Sequence, residues 1–209
     1  MASSRFDSSS DEEAESPPTD TQPLRIDWVD LSIIGYPNSV GISQMPGCKF
    51  KNNWRNLKND LETMTNAGIQ SVYVLLTTGE LRKYRASQLL DEYNSSGINV
   101  HHYPFPDGTV PTVDIVVNFI YDLKEDLGNQ RKTLIHCYGG LGRSCFLVAC
   151  FMLEMDESLS PDRVIDIFRS IRGAGAIQTV KQYNFIQDFR KLREIYDQSP
   201  PDEARSLSR

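Results

Sequence analysis

No stretch of about 18 consecutive apolar residues occurs in this chain of 209 residues, so no membrane-spanning helix is expected. The opening residues, MASSRFDSSSDEEAESPP, lack the basic and apolar regions of a secretory signal. Both absences point to an intracellular protein, expected in the cytoplasm, with perinuclear or nuclear placement left open. Cysteine is scarce, with only Cys48, Cys137, Cys145 and Cys150. No CxxC pair occurs, and free thiols are the expected state in an intracellular chain of this size. Histidine is scarcer still: three residues, of which His101 and His102 are neighbours. Without a Cys/His cluster at ligand spacing, no zinc or other metal site is expected. No internal repeat is found. Positive charge is also in short supply, 22 Lys and Arg against 28 Asp and Glu. The excess sits at one end. Residues 1–23 carry Asp7, Asp11, Glu12, Glu13, Glu15 and Asp20 against Arg5 alone, and the rest of the chain is nearly neutral. That balance excludes a broad nucleic-acid surface but leaves room for a local anion site.

The 39% hydrophobic content is enough for one sizeable core. Residues 1–23, rich in Ser, Pro and acids, cannot contribute to it and are read as a disordered acidic tail. A solvating role is the plain reading of that tail. Its serines just before DEE also suit an acid-directed kinase or a docking arm. Residues 24–197 form the expected domain, and 198–209 a second disordered tail. Within the domain, strand and helix signals alternate. IDWVDLSII is strand-like in part, and IQSVYVLL, INVHHY and KTLIH read as strands. NWRNLKNDLETMTNAG reads as a helix stopped by Gly68, and RASQLLDEYNSSG as a short helix ending near Gly97. TVDIVVNFIYDLKEDLG is amphipathic, whereas RSCFLVACFMLEM is apolar on nearly every face and therefore expected to be central. Ser160 and Pro161 supply a cap and a first-turn proline for DRVIDIFRSIRG, and a last helix runs from about Thr179 to Tyr196. This alternation implies an α/β fold, a mainly parallel central sheet flanked by helices on both faces.

The stretch LIHCYGGLGRS, residues 134–144, lies where a strand ends and a buried helix begins. Ligands of open α/β sheets bind beyond the carboxyl ends of strands. A helix N-terminus offers free N–H groups and a positive dipole end, which suit an anion. Glycines at 139, 140 and 142 let the loop of Tyr138, Gly139, Gly140, Leu141 and Gly142 turn sharply and aim successive N–H groups at one point. Arg143 adds a planar fork for two phosphate oxygens. The loop is then a phosphate cradle with Cys137 at its rim. Helix ends and arginines favour the thiolate of a cysteine beside them, which makes it a nucleophile toward bound phosphorus. Ser144 is placed to hydrogen-bond the sulfur and ease its departure, and His136 to buttress the loop. The plain alternative is a glycine-rich turn beside an ordinary buried cysteine. Neither a Walker A loop nor a GxGxxG dinucleotide loop fits the spacing.

The pattern His-Cys-x5-Arg-Ser resembles the signature loop of the cysteine-dependent protein phosphatases, the dual-specificity and tyrosine phosphatase superfamily. The resemblance implies a general acid on an upstream loop, and YPFPDGTVP offers Asp107, 30 residues before Cys137. Alone, Pro-Asp-Gly would be only a turn. Phe105 stands where tyrosine-specific relatives usually carry tryptophan. IQTVKQYNF resembles the superfamily's glutamine loop, which makes Gln178 the positioner of water and Gln182 a second glutamine near the site. MPGCKFK, TTGELRKYR, RGAGAIQTVKQYN and FDSSSDEE narrow the resemblance to a kinase-directed branch. That branch implies a phosphorylated cyclin-dependent kinase as partner, its activation-segment phosphothreonine as substrate, and no metal or other cofactor. A lipid or RNA phosphatase on the same scaffold is the first rival. The loop has no lysines for extra phosphates, and the pI of 5.1 speaks against RNA. A non-catalytic kinase-binding adaptor is the second, and it has no use for Cys137, Arg143 and Asp107 together. Oligomeric state stays open.

Overall fold

A computed structural model describes residues 19–37 and 39–198. Of the expected tails at 1–23 and 198–209, residues 1–18 and 199–209 lie outside the described residues, and Gln198 is the last residue of the final helix. Five strands form the central sheet: β1 (Ile26–Asp30), β2 (Ser39–Ser43), β5 (Ser71–Val74), β6 (Asn99–His102) and β7 (Thr133–His136). Their spatial order is β1-β2-β7-β5-β6, with β1 antiparallel to β2 and all other neighbours parallel. β3 (Lys49–Phe50) and β4 (Asn53–Trp54) make a separate small hairpin. The expected mainly parallel sheet is therefore present, with one antiparallel edge.

Helices cover both faces. Toward one, α4 (Val113–Gly128), α5 (Arg143–Met155), α6 (Pro161–Arg172) and α7 (Val180–Gln198) pack on Val40, Ile42, Tyr73 and Ile135. Toward the other, α1 (Leu57–Asn66), α2 (Thr78–Lys83) and α3 (Leu89–Ser95) pack on Val72, Val74 and Leu134. α5 is the central helix, with every residue from Arg143 to Leu153 buried, as its all-round apolar sequence implies. Ser160 caps α6 by accepting from the Arg163 N–H at 3.2 Å, and Pro161 opens the first turn. None of the helices among the described residues is long and apolar enough to cross a membrane.

Several boundaries differ from the sequence reading, two of them with a physical reason on view. α1 begins at Leu57 rather than at Asn53, because Asn56 caps it and Asn53–Trp54 belong to the hairpin. Asp20 and Gln22, read as part of the acidic tail, are held by the domain. Buried Arg55 donates to Asp20 Oδ2 at 2.9 Å and Gln22 O at 3.0 Å while pairing with buried Asp60 at 2.7 Å.

Candidate active site

Four strands deliver the site from their carboxyl ends. In register, His136 at the end of β7 lies between Ser43 of β2 and Val74 of β5. Cys137 therefore leaves the sheet at its centre, where α/β folds place ligands. Its side chain is 2% exposed, at the base of the turn rather than at its rim.

Residues 138–142 curl above it. The carbonyls of residues 138–141 are held from outside, and Gly142 O accepts from the Phe146 N–H of α5 at 2.9 Å. Tyr138 O accepts from the Met45 N–H at 3.0 Å and Leu141 O from the Ile177 N–H at 2.9 Å. Arg172 donates to Gly139 O at 2.9 Å and Gly140 O at 3.0 Å. Arg172 is itself paired with Asp27 of β1. The Gly140 N–H donates to Cys137 Sγ at 3.2 Å. The N–H groups of Tyr138, Gly139, Leu141 and Gly142 donate to no described residue. With the carbonyls taken, the loop offers its donors to an anion.

Of the three loop glycines, two are required. Gly140 has φ +66°, and a Cβ there would meet Ser43 O at 2.4 Å. Gly142 faces the two glutamines: a Cβ would lie 2.8 Å from Gln178 Oε1 and 3.3 Å from Gln182. Gly139 is not constrained, since its Cβ would find only ordinary contact at 3.9 Å and its φ is not left-handed. The expectation that all three glycines build the turn is corrected at that position. Gly140→Ala is expected to cost about 2–4 kcal/mol of stability, from left-handed backbone and overpacking, together with most activity. Gly139→Ala should leave both nearly unchanged. Denaturant melts and turnover of the two variants check this, and equal losses would refute the distinction.

Arg143, at the first turn of α5, is fully buried. Its Nη1 donates to Glu80 Oε2 at 2.8 Å and to the carbonyls of Leu75 (3.0 Å) and Phe105 (2.9 Å), and its Nη2 to Glu80 Oε1 at 2.8 Å. The fork expected for phosphate is thus committed at its Nη1–Nη2 end to a carboxylate. The Nε–Nη2 edge remains for the ligand, and Nε lies 3.3 Å from Asp107 Oδ1 without a hydrogen bond. Burial works against the charge on Glu80, but the hydrogen bonds from Arg143 and from the Thr77 N–H outweigh it and lower its pKa. Burial likewise opposes the Arg143 charge, and Glu80 and the Cys137 sulfur more than restore it.

Asp107 sits half-exposed in a tight turn closed by the Thr109 N–H on Pro106 O, with Gly108 at φ +72°. Pro-Asp-Gly forms the expected turn, and it brings Asp107 Oδ1 to 3.3 Å from Arg143 Nε. Phe105 is buried in the core and contributes its carbonyl to Arg143. Gln182 is fully buried. Its Oε1 accepts from the Gln178 N–H at 3.0 Å and its Nε2 donates to Thr109 O at 3.3 Å, so it ties the start of α7 to the Asp107 turn. Gln178 is presented by Ile177, a β-branched residue at φ +59°, an uncommon conformation held by the bond to Leu141 O.

His136 is fully buried and hydrogen-bonds Tyr93 Oη at 2.9 Å. Burial, reinforced by Arg143, pushes its pKa down to about 3, so it supports the loop as a neutral ring. Ser144 departs from expectation. Its hydroxyl is buried with no hydrogen-bond partner, and the contact to sulfur comes from the Gly140 amide instead. Glu80, Arg172 and Tyr93 were missed by the sequence reading. Only Glu80 had a signal: Thr77-x-x-Glu80 is a capping box, and the structure forms both of its bonds.

Comparison with known proteins follows from this geometry. The sequence profile of the cyclin-dependent kinase inhibitor 3 family matches residues 1–165. Cyclin-dependent kinase inhibitor 3 of Rattus norvegicus is 46% identical over all of this chain and 97% of its own length, and that of Homo sapiens 44% identical over the same shares. A solved kinase associated phosphatase, with its catalytic-site cysteine replaced by serine, is 45% identical. It superposes with a TM-score of 0.81 over 83% of this chain and 98% of its own.

Proposed function

The chain belongs to the cyclin-dependent kinase inhibitor 3 family, and from that membership and the cradle we propose that it is a dual-specificity protein phosphatase acting on a cyclin-dependent kinase. The substrate is the phosphorylated kinase, dephosphorylated at the threonine of its activation segment. The observation that carries this reading is a buried cysteine beneath a loop whose carbonyls are all occupied, those of residues 138–141 from outside.

In the first step the Cys137 thiolate forms an S–P bond as the P–O bond to threonine breaks, and Asp107 gives its proton to the leaving oxygen. The loop amides and the Nε–Nη2 edge of Arg143 hold the remaining phosphate oxygens, and Glu80 keeps that edge aimed. In the second step water, oriented by Gln178, forms the new O–P bond. The S–P bond breaks and Asp107 takes the proton back. Gln182 supports this reading by fixing the Asp107 turn against the same helix start. No step calls on a metal.

A threonine phosphate presents few side-chain contacts to the pocket, so selectivity rests on surfaces of the folded partner. Folded phospho-kinase is therefore expected to exceed a phosphopeptide of the same sequence by about 10²-fold in kcat/KM. Following phosphate release from both, with and without chelator, tests this. Equal kcat/KM values would make it a general phosphatase, and no release from either would remove the assignment.

A further inference from the structure

On one flank of the cradle three aromatic rings form a wall. Tyr138 packs on Tyr84 with ring centroids 4.6 Å apart and planes tilted by 32°, and Phe50 meets the two at 6.2 and 5.0 Å. Tyr84 caps α2 and Phe50 ends β3, and the Lys49 N–H joins these segments by donating to Tyr84 O at 3.0 Å. The wall therefore begins in the loop itself and runs outward over the small hairpin.

Its outer side carries cations. Lys83 Nζ lies 4.9 Å from the Phe50 ring centre and 5.6 Å from that of Tyr84. Lys51 Nζ lies 5.5 Å from Phe50. The Arg85 guanidinium sits 5.2 Å from Trp54, the next aromatic along the hairpin. All three cations are exposed, and none pairs with a described carboxylate. Glu80, the acid of this segment, is turned inward onto Arg143. Lys49 and Arg82 add two more exposed charges nearby in sequence. A chain of net charge −6 thus has a concentrated positive rim beside an anion cradle. A substrate polypeptide whose phosphorylated residue reaches Cys137 has its neighbouring residues at this mouth. Charges there lie within reach of the rim, since screening takes about 8 Å at physiological salt.

We propose that the Lys51–Lys83–Arg85 rim around the Phe50–Tyr84–Tyr138 wall reads acidic side chains flanking the phosphorylated residue of a polypeptide substrate. The inference rests on the protein phosphatase reading and adds a substrate class to it. The rings hold the ammonium groups in place, which leaves their outward N–H donors for carboxylates.

The test uses two phosphothreonine peptides that differ only in flanking Asp and Glu against Asn and Gln, with p-nitrophenyl phosphate as a substrate without flanks. The enzymes are the full chain and a Lys51→Gln/Lys83→Gln/Arg85→Gln variant, with melting temperatures to confirm folding. Single exposed pairs are weak, so three acting together should favour the acidic peptide by about tenfold in kcat/KM at low salt, mainly through KM. The preference should fade toward unity in roughly 0.5 M salt. The variant should treat the peptides alike and keep p-nitrophenyl phosphate turnover within about twofold. A wild type blind to flanking charge, or a variant losing the same factor on both peptides, would overturn the inference. So would a preference that appears only after deletion of residues 2–18, since the chain's own acidic segment would then be the occupant. Absence of turnover with all three substrates would overturn the phosphatase reading itself, and the inference with it.

Discussion

Cys137→Ser is expected to lower turnover of the phosphorylated kinase by about 10⁴-fold or more and to leave its binding intact. The hydroxyl is isosteric enough to accept the Gly140 N–H that now reaches the sulfur. It is a far weaker nucleophile at neutral pH, and its conjugate base is a poor leaving group in the second step. Everything that holds phosphate stays in place, because the outward bonds of Met45, Arg172 and Ile177 do not involve residue 137. The variant should therefore trap substrate. Calorimetric binding of phospho-kinase beside single-turnover measurements checks both halves. Turnover near wild type would remove Cys137 from the chemistry, and lost binding with an unchanged melt would mean that the loop does not keep its phosphate-holding geometry without the sulfur.

Asp107→Asn should slow release of phosphothreonine by about 10²–10⁴-fold, the usual worth of general acid catalysis. Threonine leaves as a strongly basic alkoxide and needs the proton. The p-nitrophenolate ion is weakly basic and needs little help, so its first step should slow much less. Because Asp107 also serves as base in the second step, the comparison belongs in the pre-steady-state burst. Asp107 lies 3.3 Å from Arg143 Nε, and the turn that bears it is tied by Gln182 to the start of α7. An isosteric amide leaves those ties in place. If both substrates lost the same factor in the burst, Asp107 would be a turn residue. The acid would then have to be sought elsewhere, and not at Asp114, the next carboxylate along the chain, which lines an apolar groove between α4 and α7 among no residue of the cradle.

The sequence was most legible where a periodic pattern or a short-range signal sufficed. RSCFLVACFMLEM announces α5 because it has no polar face, and Ser160-Pro161 announces α6 because caps are local chemistry. His136, Cys137 and Arg143 were readable because a loop and a strand end constrain them within a few residues, whereas Asp107, 30 residues upstream, came only from the family resemblance. β2 escaped notice: five residues of which Gly41 and two serines weaken any strand pattern. Gly41 is nonetheless needed, since a Cβ there would lie 2.8 Å from Ile26. α2 has six residues, too few for periodicity, and was marked only by its capping box. Arg172 lies 32 residues from the carbonyl it binds, Glu80 lies 63 from Arg143, and Tyr93 lies 43 from His136. Contacts of that separation leave no trace in spacing. The expected Ser144 bond to sulfur failed for the opposite reason. Adjacency in sequence suggested it, and the curl of the loop brought the Gly140 amide to that place instead.

The outward grip on the loop carbonyls bears on portability. A peptide plane that flips exchanges an N–H for a C=O, and a turn of free planes has no fixed preference for anions over cations. Here the sign is set by Arg172 at the end of α6, by its partner Asp27 on the edge strand, and by the amides of Met45 and Ile177. Residues 134–144 grafted alone onto another strand–helix junction would carry the spelling of the motif without its polarity. A working transplant needs the clasp as well as the loop.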